Sequence, residues 1–170
     1  MSSFRRRMMM QREESGISLE EVTEGVYIYN YENNLAYKPQ SWKLSNDKAE
    51  GVLFVDSEYK IIISKDYPPY KYDYPTNGSY CRTNYEFPSG EKGIYPEKVH
   101  WEAIYKQKEN IDNALQKINA DPIKTDDVNG SNTSTSSPYG TVYYCINWST
   151  GAFSTISTSN TSWARPFRLL

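Results

Sequence analysis

Two apolar runs, Gly51-Val52-Leu53-Phe54-Val55 and Lys60-Ile61-Ile62-Ile63, flank the polar turn Asp56-Ser57-Glu58-Tyr59. Both are short, β-branched and nearly continuous in apolar character, which predicts a hairpin with both faces covered, at the core of the molecule. Upstream, Val26-Tyr27-Ile28-Tyr29-Asn30-Tyr31 alternates, so a strand there places Tyr27, Tyr29 and Tyr31 on one face and Val26 and Ile28 on the other. Residues 95–119 carry the helical period. Trp101, Ile104, Ile111, Leu115 and Ile118 form one stripe, broken only by Lys108. Pro96 suits a first helical position and Glu97 the positive end of the dipole, and a bend is expected near Glu109-Asn110.

The rest of the pattern predicts turns and strands. Residues 66–80 hold Pro68, Pro69 and Pro75, which bars a central strand and predicts a tyrosine-rich surface loop ending in the Asn77-Gly78 turn. Residues 131–137 are Ser, Thr and Asn and predict a loop. Residues 141–148 predict a strand, Ser149-Thr150-Gly151 a turn and residues 152–157 the returning strand. The fold class that follows is α+β: mostly antiparallel β with one or two helices, in a single domain over residues 17–170, preceded by an extended arm over residues 1–16.

Composition sharpens this picture in three places. A net charge of −2 over 170 residues gives no reason to expect nucleic acid or an anionic membrane as partner. Tyrosine is abundant, at 16 residues, and from Val128 to Ala164 no residue is charged. That segment is too polar for a core and too aromatic for a disordered linker, so it predicts a polar surface on an apolar frame. Cys81 and Cys145 lie far apart, with neither metal-ligand nor disulfide-scaffold spacing. Two free thiols are favoured over one bridge.

The chain opens Phe4-Arg5-Arg6-Arg7-Met8-Met9-Met10, with a basic start but without the ~7–15 residue apolar run of a signal peptide. It is either a solvated tail or a docking arm. In the second reading Phe4, Met8 and Met9 supply adaptable apolar contacts, and Arg5, Arg6 and Arg7 fork onto a partner's carboxylates.

Candidate chemistry is sparse. A histidine-based mechanism must use His100, the single histidine, which the helical pattern places on a partly exposed face. Asp121, Asp126 and Asp127 lack the alternation of a calcium loop and are expected in a solvated turn. There is no phosphate-binding glycine loop. The expectation is a protein that is not an enzyme and uses no cofactor or metal. Tyrosine, tryptophan and small polar residues are the materials of a binding surface: rigid rings supply area at low entropic cost, and hydroxyls and amides supply hydrogen bonds. The candidates are Tyr139, Tyr143, Asn147, Trp148 and Asn160, with Tyr70 and Tyr74 behind them; Trp148 and Trp163 are divided between packing and contact.

Several motifs fall in a recognisable order. Tyr80-Cys81, Gly90, Gly93-Ile94-Tyr95-Pro96, Trp101 and the helix, then Val142-Tyr143-Tyr144, Asn147, Ser149-Thr150-Gly151 and the closing Trp163-Ala164-Arg165-Pro166-Phe167-Arg168, resemble a lectin-like family. That family shares the C-type lectin-like fold with formylglycine-generating enzymes and with the C-terminal domain of bacterial collagen-like adhesins. The resemblance covers roughly residues 51–168. Glu97 and His100 depart from it, standing where the family has Ser or Thr and Glu, so helix entry should rest on Pro96 and local packing. Cys81 matches a non-catalytic position, and oxidase activity is not implied. The opening Phe4-Arg5-Arg6-Arg7-Met8-Met9 is similar to the N-termini of tailed-phage and prophage structural proteins of gut Bacteroidetes. The resemblance implies a virion protein, part of a fibre or decoration and a homo-oligomer. Its arm would meet other virion proteins and its lectin-like domain a host-surface glycan or protein. A bacterial cell-surface adhesin is the alternative.

Overall fold

The computed structural model describes residues 16–170. In chain order these form β1 (Ile17–Ser18), β2 (Gly25–Asn30), β3 (Leu35–Tyr37), β4 (Ala49–Val55), β5 (Lys60–Ser64), α1 (Tyr74–Ser79), α2 (Lys98–Tyr105), α3 (Lys108–Lys117), β6 (Asn129–Ser137), β7 (Gly140–Ile146), β8 (Phe153–Ser157) and β9 (Phe167–Leu169). The class is α+β. The docking arm expected at Phe4, Arg5, Arg6, Arg7, Met8 and Met9 lies outside the described residues.

The expected hairpin is the centre of the larger sheet. β4 and β5 pair antiparallel, Val52 opposite Ile63 and Leu53 opposite Ile62, within the strand order β1-β3-β2-β4-β5-β9. Every residue of β4 is buried, as the continuous apolar run requires. The alternation in β2 separates the two faces. Val26 and Ile28 join Val52, Phe54, Ile61 and Ile63 against the helices, where Trp101, Ile104, Ile111 and Leu115 meet them. Tyr27 and Tyr29 join Leu53, Val55 and Ile62 on the opposite face, under Val22, Tyr85 and Phe87. Gly51 is required by close approach, since a Cβ there would collide with the Ile63 carbonyl.

The closing Arg-Pro-Phe-Arg stretch ties the sheet together. Arg165 is fully buried, and its guanidinium donates to the Ser64 carbonyl from Nε (2.9 Å) and Nη2 (2.6 Å), to Lys65 (3.0 Å) and to Asp121 (2.8 Å). It also lies 4.7 Å from the Tyr67 ring centroid. Phe167 then enters β9 and packs on Trp101, and Arg168 donates to both oxygens of the buried Glu50 at 2.9 Å. Cys81 and Cys145 are free, as favoured, and fully buried.

Several expectations are corrected. The helical stripe is two helices, broken at Lys106-Gln107 rather than bent at Glu109-Asn110, where Gln107 leaves helical geometry with φ −117° and ψ 25°. α2 begins at Lys98, not Pro96. Its entry is held by a hydroxyl after all, from a distant strand: the Lys98 N–H donates to Thr133 Oγ1 at 2.8 Å. His100 is buried, not half-exposed; its Nδ1 accepts the Glu97 N–H at 3.0 Å and its ring meets Tyr59 edge-on. Residues 74–80, expected as the end of a loop and its turn, instead form α1 and enter one π-helical turn (Tyr80–Asn84). Pro75 fits the first turn, where no N–H is needed, and the Asp73 carboxylate accepts the Thr76 N–H at 3.1 Å. Residues 131–137, expected as loop, are part of β6, because β7 supplies the partner that their own pattern does not announce.

Candidate binding surface

The smaller sheet, β6-β7-β8, is built from the uncharged segment. Its inner end is anchored. Trp101 Nε1–H donates to the Gly130 carbonyl (3.1 Å), the Ser131 hydroxyl to the Tyr144 carbonyl (2.9 Å) and the Asn132 N–H to the Pro96 carbonyl (2.7 Å). The register slips between Gly130 and Ser134, a bulge that lets the strand leave the body. Beyond it, Ser134 pairs with Tyr143, Thr135 with Val142 and Ser136 with Thr141. Ser134, Ser136 and Thr141 are exposed there, and Ser154 and Thr155 are exposed on β8 opposite Cys145 and Tyr144. No residue of these strands is charged, although the Lys98 ammonium lies 4.6 Å from the Phe153 ring centroid, and β-branched, hydroxyl and tyrosine side chains line the backbone ladder.

Of the candidates, Tyr143 and Tyr74 are brought together. Their rings stack with centroids 3.3 Å apart and planes 18° apart. The Tyr74 hydroxyl donates to Asn132 Oδ1 (2.6 Å), and Arg82 Nη2 donates to the same oxygen (2.8 Å). Burial, with Tyr143 alongside, holds the Tyr74 phenol above its ordinary pKa, so it stays a neutral donor. Tyr139 stands at the β6–β7 turn and is fully exposed, its N–H on Ser137 Oγ (3.2 Å) and Gly140 beside it at φ 116°. Asn160 is exposed in the turn after β8, and Tyr70 is exposed in the loop before α1.

Two candidates have other work. Trp148 is fully buried, not a contact residue. It lies edge-on to Trp101 and Tyr105, and its Nε1–H donates to Asp112 Oδ1 at 3.0 Å. Asn147 folds the β7–β8 turn: its Oδ1 accepts the N–H groups of Ser149 (3.0 Å) and Thr150 (3.1 Å). Trp163 is half-buried, between Tyr67 and the Lys124 ammonium. Arg82 and Asn132 were not anticipated. Arg82 lies on the π-helical turn, whose extra residue turns Cys81 inward and Arg82 out, and no local pattern relates it to a strand fifty positions on.

The nucleophile candidates are quiet. Burial pushes the Cys81 thiol far up from its ordinary value and raises Cys145 as well, so neither is a thiolate at neutral pH. Burial lowers the His100 pKa. Among the described residues no group of three or more His, Cys, Asp or Glu is arranged to hold a metal ion, and no helix is long and apolar enough to cross a membrane. Asp127 pairs with Lys71, and Asp121 accepts the Tyr67 N–H. What the arrangement offers is recognition: stacked rings, a row of hydroxyls, amides and one guanidinium. No family model and no curated protein matches the chain.

Proposed function

We propose that this protein is a non-enzymatic recognition module, the outward-facing part of a tailed-phage fibre or decoration protein, with a C-type lectin-like domain that contacts a host-surface glycan. The observation that carries the reading is the outer half of β6-β7-β8. Its exposed positions are Ser, Thr and Tyr without charge, beside the Tyr74–Tyr143 stack and below the fully exposed Tyr139. Hydroxyls and amides match sugar hydroxyls in both donor and acceptor roles, and ring faces match the C–H faces of pyranoses. The lectin-like reading rests on the resemblance of the sequence motifs, the closing Trp163-Ala164-Arg165-Pro166-Phe167-Arg168 above all; in the fold Arg165 is held by the Ser64 carbonyl and Arg168 by Glu50. In this reading residues 1–16 hold the homo-oligomeric protein on the particle, through Phe4, the three arginines and the methionines. A bacterial cell-surface adhesin would use the same sheet.

A cryo-EM map of purified particles tests the assignment. The expected result is density for the two-sheet domain on the outside of the particle, with β6–β7 pointing away from it. Its absence from particles, with the protein found instead on the bacterial envelope, replaces the virion reading with the adhesin.

A further inference from the structure

A second surface lies on α3, away from the hydroxyl row. Gln107, Asn110, Asn113 and Gln116 occur at every third position, so they follow one slanted ridge of the helix. On one side of the ridge is a hollow of about 520 Å³ lined by Gly25, Val26, Lys38, Gln40, Asn110, Asn113 and Lys117 among others. On the other is a hollow of about 650 Å³ whose lining includes Asn113, Gln116, Pro122 and Lys124, together with the carboxylates of Asp126 and of Asp112, the latter paired with Lys108. Asn113 lines both, so the two hollows meet at this residue.

The ridge is costly for the helix. Asparagine in an exposed helix interior is worse than alanine by up to ~0.7 kcal/mol, because its amide competes for the backbone. Asn110 donates to Gln107 (2.7 Å), but the Asn113 side chain makes no hydrogen bond among the described residues, so nothing there offsets its cost. The first hollow has no carboxylate in its lining, although Glu24 and Glu109 are chain neighbours of lining residues. Its two ammonium groups, on Lys38 and Lys117, make no ion pair among the described residues. Lys38 Nζ is held 4.1 Å from the Tyr27 ring centroid.

We infer that the first hollow binds the acidic sugar of an oligosaccharide, its carboxylate between Lys38 and Lys117, with neighbouring uncharged sugars along the Asn110-Asn113-Gln116 ridge toward the hollow that holds Asp112 and Asp126. The amides can donate and accept to vicinal hydroxyls, and the two ammonium groups, which have no carboxylate partner among the described residues, select a charged sugar over a neutral one. A hollow of this size takes one or two sugar rings, and its open continuation takes more.

The test is NMR titration of the full chain, following the Asn and Gln side-chain NH2 signals. The probes are a glucuronate-containing tetrasaccharide and a sialylated trisaccharide, with neutral chitotetraose and inorganic sulfate as controls. The expected result is saturable shifts at Asn110, Asn113 and Gln116 with at least one acidic probe. Affinity should fall about tenfold or more in Asn113→Ala and in Lys38→Gln/Lys117→Gln. The shifts should be confined to α3 and its neighbours and should not extend to the amides of β6-β7-β8, which separates this site from the hydroxyl row. No saturable shift on α3 with either acidic probe up to about 10 mM overturns the inference. So does equal affinity for sulfate, or for chitotetraose.

Discussion

Trp148→Ala separates a core role from a contact role at the residue where the two were hardest to tell apart. The indole is fully buried against Trp101 and Tyr105. Truncating a large buried aromatic costs about 3–5 kcal/mol, including the cavity it leaves. Losing the N–H to Asp112 adds little, because that carboxylate keeps its Lys108 partner at 2.7 Å and is partly solvated. A loss of about 4 kcal/mol is a large part of the roughly 5–15 kcal/mol that a domain has in total. With a urea m-value of about 2 kcal/mol/M, the unfolding midpoint should fall by about 2 M. Trp148→Phe, which keeps most of the ring area, should lose less than half of that. The assay is urea unfolding followed by far-UV circular dichroism, alongside glycan binding at low denaturant. A Trp148→Ala protein with an unchanged midpoint and lost binding would refute the reasoning, since the ring would then act at the surface.

Other outcomes follow from the same contacts. Arg165→Met removes a buried guanidinium that satisfies three backbone carbonyls, so it should destabilise by about 3–5 kcal/mol, read as a lowered urea midpoint. His100 has a folded pKa below its ordinary 6.5, so the unfolded chain binds the extra proton. Its contribution is full above that value and is lost as pH falls through it toward the folded pKa. Midpoints measured from pH 8 to pH 5 should therefore fall more steeply in the wild type than in His100→Gln, and equal slopes would contradict the assignment. Cys81 and Cys145 should resist a thiol reagent in the native protein and both react after denaturation; rapid native labelling would show them exposed.

How much of this was legible in the sequence depended on where each element gets its stability. β2, β4 and β5 carry their own signal, because Val52, Phe54, Ile61 and Ile63 are apolar enough to dictate burial. β6 does not: a run of Ser, Thr and Asn becomes a strand only through pairing with β7. α1 is hidden for a similar reason. Pro75, Asn77 and Gly78 are poor helix formers, and the helix is held by the Asp73 cap and by Asn77 donating to Ser162 Oγ (3.0 Å), 85 residues away. On the candidate surface, Tyr139 was visible as an aromatic between a polar run and an expected strand, and it is fully exposed. Trp148 has the same composition around it, but its burial is decided by Trp101 and Asp112, which its own stretch cannot reveal. The amide ridge of α3 was present as a three-residue spacing. It gains meaning only beside the lysines that the fold brings next to it.

The central claim is that the uncharged sheet is the recognition surface. It is tested most directly by applying the wild type, Tyr139→Ala and Tyr139→Ala/Tyr143→Ala to an array of bacterial surface glycans, with unfolding midpoints measured on the same samples. The account predicts that the wild type binds, and that the double variant loses at least about tenfold while the Tyr139 change costs no stability. A wild type that binds nothing, or a double variant that binds as well as the wild type, would contradict it.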